Sequence, residues 1–326
     1  MSNLLPEIDI VRPASPEQAV AALSRPGAAA LAGGTDLIVN LRRGIGAPRQ
    51  LVDLTALPGI DRIVADGDSL VIGAGVRLAA LAASAELGPA EAALREAALA
   101  VAGPSHRNLA TVGGNLCLDT RCIYYNQSDW WRRANGYCLK YRGEICHVAP
   151  QGRRCRAAFS GDLAPALMVL GAEVEIIGPQ GPRRMPLGAL YREDGAAHLT
   201  LRPGEIVLRV HLRRQAGVSG YAKIRTRAAM EFPLAGVAAA CRPAADGDGG
   251  EPARELAVAL TGTNSCPLLL APRLLPAARD DSFFAALQRD VQKAVSPQRT
   301  TALAAHYRRL AVAAEAVRLV RRLADG

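Results

Sequence analysis

The chain has 326 residues, half of them apolar and 21% charged, which gives room for about two domains and a sizeable core and excludes a disordered chain. Its formal charge of +9 comes from 39 basic against 30 acidic residues, and every basic residue except Lys140, Lys223 and Lys293 is an arginine. The charges are scattered rather than gathered into a stripe or tail, so they read as a solvated surface and not as a nucleic-acid footprint, with an acidic partner or cofactor as the lesser reading.

No stretch approaches the roughly 20 uninterrupted apolar residues of a membrane helix. The start, MSNLLPEIDIVRP, lacks the charged and apolar regions of a signal peptide. A cytoplasmic protein with no membrane contact is expected.

In chain order, Ser15-Pro16-Glu17-Gln18 marks a helix start, with Ser15 as N-cap, Pro16 in the first turn and Gln18 closing a capping box. A short apolar strand at 28–31 ends at Gly33-Gly34, after which Thr35 and Asp36 can cap a helix carrying Leu37, Ile38 and Leu41. A strand at 50–54 and a turn at Pro58-Gly59 close the first subdomain. The second opens with a strand at 69–76, continues with helices at 78–86 and 89–101, and returns to strands at 173–177 and 205–212. Beyond Gly217, strands are expected at 221–226, 234–241 and 255–263, with a turn at 244–250 (AADGDGG) and helices from Ser282 and Pro297. These elements give an α+β fold: a first region at 1–216, divided near residue 58, and a C-terminal α+β domain with an antiparallel sheet at 217–326.

Residues 122–155 stand apart. They concentrate Tyr124, Tyr125, Trp130, Trp131, Tyr137 and Tyr141 with Arg132, Arg133, Arg153 and Arg154 in a chain otherwise poor in aromatic residues, and they follow neither a period of 2 nor one of 3.6. That pattern marks a long functional loop. It also holds Cys122, Cys138, Cys146 and Cys155, separated by 15, 7 and 8 residues, while Cys117 precedes it and Cys241 and Cys266 lie far away. Clustered cysteines in a reducing compartment point to metal or redox chemistry. The absence of C-x-x-C disfavours a zinc ribbon, His147 keeps a Cys/His zinc site open, and four thiols gathered by a loop suit an iron–sulfur cluster. Spacing alone does not choose among these and incidental thiols.

Two glycine pairs carry the ligand-binding signal. In AGGTDL (32–37) and TVGGN (111–115), adjacent glycines allow close backbone approach, and successive N–H groups before a helix favour a phosphate. Neither pair is a Rossmann fingerprint or a Walker A loop, and either alone reads first as an ordinary turn. Together they can embrace one pyrophosphate from both sides.

In this order, AGGTDL, HRNLATVGGNL (106–116) and GDLAPALMVLGAEVEI (161–176) resemble the FAD-binding subunits of molybdenum hydroxylases, the family of xanthine and carbon monoxide dehydrogenases. The resemblance runs from about Leu31 to Met230. It implies that Leu31, Ala32, Gly33, Gly34, Thr35, Asp36 and Leu37, with Thr111, Gly114 and Asn115, bind FAD. Asp162 falls on the family's flavin-contacting Asp, a role compatible with an N-cap at that position. Lys223 falls on a Lys near the isoalloxazine, where a lone strand lysine would otherwise be solvated. The long segment between the second and third motifs is similar to the insertion of 4-hydroxybenzoyl-CoA reductase β subunits, which implies that Cys122, Cys138, Cys146 and Cys155 ligate a [4Fe–4S] cluster. Cys117, Cys241 and Cys266 are then packed structural thiols, and Trp130-Trp131 shields the cluster or meets another subunit. The resemblance further implies an electron-transfer subunit beside a molybdopterin-containing large subunit and a [2Fe–2S] small subunit, as a dimer of heterotrimers. Ferredoxin would feed electrons through the cluster and FAD to molybdenum for reductive dehydroxylation to benzoyl-CoA. The alternatives are the same architecture run oxidatively on an aldehyde or heterocycle, and a zinc-stabilised polyanion-binding protein.

Overall fold

The computed structural model describes residues 5, 7–228, 230–244, 254–276 and 280–325. After β1 (Asp9–Val11), the Ser15 hydroxyl accepts from Gln18 N at 3.3 Å and starts α1 (Pro16–Leu23). The expected capping box is displaced by one residue, because the Gln18 side chain accepts from Ala14 N at 2.9 Å. β2 (Ala28–Leu31), α2 (Leu37–Arg42) and β3 (Gln50–Asp53) follow, and the strands pair in parallel in the order β1-β3-β2. Asp36 precedes α2, but its side chain does not cap it. The carboxylate is drawn away to Arg121 and to Asn40 Nδ2.

β4 (Ile63–Asp66) pairs with β5 (Ser69–Gly73). The strand expected to reach residue 76 stops at Gly73, because the chain there turns onto another partner, Gly75 N donating to Ile60 O at 2.7 Å. The next two helices are shorter than their sequence pattern. α3 (Leu78–Ala83) ends where Ser84 becomes extended, and Pro89–Glu91 forms a 3₁₀ turn before α4 (Ala92–Ala100). Three short helices, α5 (Pro104–Arg107), α6 (Val112–Leu116) and α7 (Asp129–Ala134), precede α8 (Leu163–Val169), whose seven residues are all buried.

β6 (Glu173–Gly178), β7 (Gly181–Pro186) and β8 (Ile206–Arg213) complete an antiparallel sheet in the order β4-β5-β8-β6-β7. β7 carries Pro182, Arg183, Arg184 and Pro186, a composition that only an edge strand tolerates. The C-terminal sheet joins β9 (Val218–Ile224), β10 (Ala235–Pro243), β11 (Arg254–Thr261), β12 (Leu268–Leu269) and β13 (Arg273–Leu275), all antiparallel. α9 (Asp281–Ala294) and α10 (Ala305–Asp325) close the chain. The turn expected at 244–250 lies, apart from Ala244, outside the described residues.

Side chains alternate across β10 and β11. Ala238, Ala240, Ala257 and Ala259 join the core beneath α4 and α8, whereas Val237, Ala239, Cys241, Val258 and Leu260 pack with α9 and α10. The alanine face is low enough for α8 to lie directly on the sheet, which brings its N-terminal residue Asp162 beside β9. The fold is α+β. Among the described residues no helix is long and apolar enough to cross a membrane.

Candidate functional site

A cavity of about 680 Å³ opens where the two glycine motifs, the start of α8 and β9 converge, a volume in the range of small-molecule and cofactor sites. Ala32, Gly33, Gly34, Thr35, Asp36, Leu37, Thr111, Gly114, Asn115, Asp162 and Lys223 all line it. Leu31 does not. It belongs to β2, in register with Asp53, and supports the loop from behind.

The two motifs touch through their backbones. A Cβ on Gly33 would run into the Leu109 carbonyl, so only glycine lets the first loop lie against the segment leading into the second. The N–H groups of Gly33, Gly34, Thr35 and Asp36 donate to no protein acceptor among the described residues. In the second motif the donors are partly spent. Thr111 N-caps α6 with its hydroxyl accepting from Gly114 N at 3.1 Å, and Asn115 Oδ1 accepts from Leu163 N at 3.0 Å. Asn115 thus provides the cap that Asp162 was expected to give α8; Asp162 itself makes no capping bond.

The Asp162 carboxylate faces β9 instead. Tyr221 Oη donates to it at 2.6 Å and Lys223 Nζ lies 3.1 Å away, with Nζ also donating to Ala100 O at 2.9 Å. The solvated alternative for Lys223 is overturned: its side chain is 3% exposed and that of Asp162 is 4% exposed. Burial pushes the Asp162 carboxyl up, while Lys223 and Tyr221 pull it back towards the ionised form.

Several lining residues were not singled out in the sequence. Arg121 forms an ion pair with Asp36 and stacks 4.3 Å over the Phe232 ring, and burial lowers its guanidinium to about 10. Its Nε and the Nδ1 of His106 are buried without a protein partner, although both residues face the cavity. Orphaned polar atoms, unspent amides and a glycine-made approach fit a bound anionic dinucleotide. The His in HRNLATVGGNL was the one signal in the sequence that could have pointed to His106. Cys117 also lines the cavity, and burial pushes its thiol up to about 12, as befits a packed residue.

The 122–155 loop leaves and returns at one place, where Arg121 and Ala158 exchange backbone hydrogen bonds at 2.7 Å. Arg132, 1% exposed, docks it onto the cavity wall by donating from Nη2 to Gly44 O at 2.8 Å and Arg43 O at 3.2 Å. Cys122, Cys146 and Cys155 are buried and Cys138 is half-buried. Cys122 and Cys155 pack in one apolar cluster, with Cys138 against it. Burial pushes Cys122 up and Cys155 up to about 12, opposed by backbone N–H groups of Tyr124 and Tyr125 aimed at Cys122 and of Ala157 at Cys155 (3.4 Å). Among the described residues no three His, Cys, Asp or Glu side chains stand close enough to hold a single metal ion, for which thiolates at about 2.3 Å from zinc would lie about 3.8 Å apart. His147 bonds through Nε2 to Tyr137 O at 2.5 Å and stacks on Tyr124, and so takes no part in such a site. Cys241 is buried in β10, and Cys266 Sγ donates to Glu193 Oε2 at 2.9 Å. Trp130 is 64% exposed and lies outside the thiol nest, while Trp131 packs near Tyr124.

The family model of the FAD binding domain in molybdopterin dehydrogenase matches residues 6–213. The FAD-binding subunit PaoB of an aldehyde oxidoreductase from Escherichia coli (strain K12) is 38% identical over 244 residues, covering 72% of this chain and 76% of that one. The carbon monoxide dehydrogenase medium chain of Afipia carboxidovorans is 30% identical over 217 residues, covering 66% of this chain and 61% of its own length. In fold, a chain of the reconstituted CO dehydrogenase from Oligotropha carboxidovorans matches with a TM-score of 0.78 at 23% identity, covering 99% of both chains.

Proposed function

This chain belongs to the family of FAD-binding subunits of molybdenum hydroxylases and is the FAD-binding component of an oxidoreductase of that class; on that premise we propose that it is an electron relay carrying a [4Fe–4S] cluster as well as FAD. The observation that carries the second cofactor is a loop bearing four thiols, of which Cys122 and Cys155 share one apolar cluster with Cys138 packed against it, and Cys146 is buried too. Thiolates around a four-iron core stand farther apart than around one ion, and N–H donors on the sulfurs stabilise them. Four thiols with no site for a single ion among the described residues therefore suit a cluster better than zinc.

Bound FAD supplies a centre that exchanges electrons in pairs or singly. The amides of residues 33–36 would hold its pyrophosphate, with Thr111, Gly114 and Asn115 opposite, Ala32 and Leu37 flanking and Leu31 in support. Asp162 fixes Lys223 at the cavity wall. The FAD region is taken as residues 1–216, with the insertion at 122–155, and the C-terminal domain as 217–326. Substrate chemistry falls to a molybdopterin-containing large subunit, with a [2Fe–2S] small subunit completing a heterotrimer that pairs into a dimer in the cytoplasm.

The 38% identity to the FAD-binding subunit of an aldehyde oxidoreductase favours the oxidative direction, with an aldehyde oxidised at molybdenum and electrons passing outwards through this chain. The likeness of the insertion to that of 4-hydroxybenzoyl-CoA reductases supports the second reading, in which ferredoxin feeds the cluster and the product is benzoyl-CoA. Iron and acid-labile sulfide on anaerobically purified protein test the cluster. About four of each per chain are expected, lost in Cys138→Ala while FAD stays; zinc, or FAD without iron, refutes it. Turnover of an aldehyde with an artificial acceptor, against 4-hydroxybenzoyl-CoA with reduced ferredoxin, decides the direction.

A further inference from the structure

We infer that Tyr125, with Ile45 beside it, is the bridge through which electrons cross between the thiol nest and the FAD cavity; this rests on the [4Fe–4S] reading above. Among the described residues these two alone belong to both places. Each lines the cavity, and each packs in the apolar cluster that holds Cys122 and Cys155, at 7% exposure for Tyr125 and 4% for Ile45.

The contact is rigid on both sides. Cys122 and Tyr125 share one tight turn, in which Tyr125 N and Asn126 N donate to Cys122 O at 3.0 and 2.9 Å and Cys122 N donates to Asn126 Oδ1 at 3.0 Å. Lys140 Nζ stands 4.4 Å from the centre of the Tyr125 ring and is pinned to Asp119 Oδ1 at 2.6 Å. Asp119, another cavity residue, faces the Tyr125 hydroxyl. The ring is therefore held in place between cysteine and cavity wall.

Electrons tunnel through contacting atoms more readily than across empty space, so closely packed side chains form the route with the fewest gaps. With FAD and the cluster bound, one electron at a time would pass from reduced flavin to oxidised cluster in the oxidative direction, and the reverse in the reductive one. No bond or proton changes hands, and Tyr125 is neither oxidised nor reduced. It is a positioning residue that keeps the path filled.

The test uses the purified complex with both centres loaded. After flash reduction, electron equilibration is followed by flavin absorbance and by freeze-quench EPR of the cluster. Tyr125→Leu and Ile45→Ala are expected to slow it several-fold with FAD, iron and sulfide contents and both midpoint potentials unchanged, and Tyr125→Phe, which restores the ring, recovers the rate. Unchanged rates in both gap-forming variants overturn the inference. A Tyr125→Phe as slow as Tyr125→Leu also overturns it, because the hydroxyl would then carry the effect. If Tyr125→Leu loses iron, Ile45→Ala decides. A complex with FAD but no iron or sulfide removes the cluster reading itself, and the bridge with it.

Discussion

Lys223 on β9 and Asp162 at the start of α8 form an ion pair of 3.1 Å, 61 residues apart in sequence and almost wholly buried. The pair fastens the C-terminal sheet to the helix that follows the second glycine motif, at the wall of the cavity. Tyr221, two residues earlier on the same face of β9, adds a hydrogen bond of 2.6 Å. Gly236 on β10 makes this arrangement possible, because a Cβ there would collide with the Tyr221 hydroxyl.

Removing one partner leaves the other charge buried. Lys223→Ala is expected to cost about 3–5 kcal/mol of stability, read by urea unfolding of the FAD-free protein. Tyr221→Phe should cost about 1–2 kcal/mol, because Asp162 keeps its stronger partner. A Lys223→Ala effect no larger than that of Tyr221→Phe would show that the pair is not a fastening.

Gly33→Ala places a methyl group against the Leu109 carbonyl. Separating the two glycine motifs should abolish FAD binding, measured by the flavin absorbance retained on purification. The overpacking should cost about 1–3 kcal/mol. Full flavin content in this variant would mean that the close approach is not needed.

His198 is 7% exposed, bonds through Nε2 to Leu118 O at 3.0 Å, and has its imidazole lowered by burial from 6.5 to about 4. The unfolded chain therefore binds the extra proton first. Stability is fully present above pH 6.5 and falls as the pH drops towards 4, by about 3 kcal/mol in total. His198→Gln should flatten that part of the stability profile in denaturant melts. An identical acid slope in both proteins would assign it to other groups.

Arg132 carries the docking of the 122–155 loop through the carbonyls of Arg43 and Gly44. Arg132→Ala removes both bonds, each to a charged donor worth about 1.5–3 kcal/mol. The loop should become cleavable by trypsin at Arg142, Arg153 or Arg154 while the rest of the chain resists. Uniform resistance in the variant would show that other contacts hold the loop.

The sequence alone determined the local elements and the chemistry of the motifs. Ser15-Pro16 marks a helix start, the apolar run at 234–241 marks a strand, and paired glycines before a helix offer free amides; each depends only on neighbours a few residues away. Elements of weak strand composition were hidden. β7, rich in proline and arginine, and β4 were not among the expected strands, and each is a strand by pairing with its hairpin partner, β6 or β5. The same division runs through the site. Asp162 looked like a cap because its sequence neighbours are helical, but its carboxylate answers to Tyr221 and Lys223, about sixty residues later. Four irregularly spaced cysteines gave no geometry until the Arg121–Ala158 bridge closed their loop and Arg132 pressed it against the cavity. Burial and charge pairing are properties of what the chain brings together, so only the tertiary structure could decide which side chains meet.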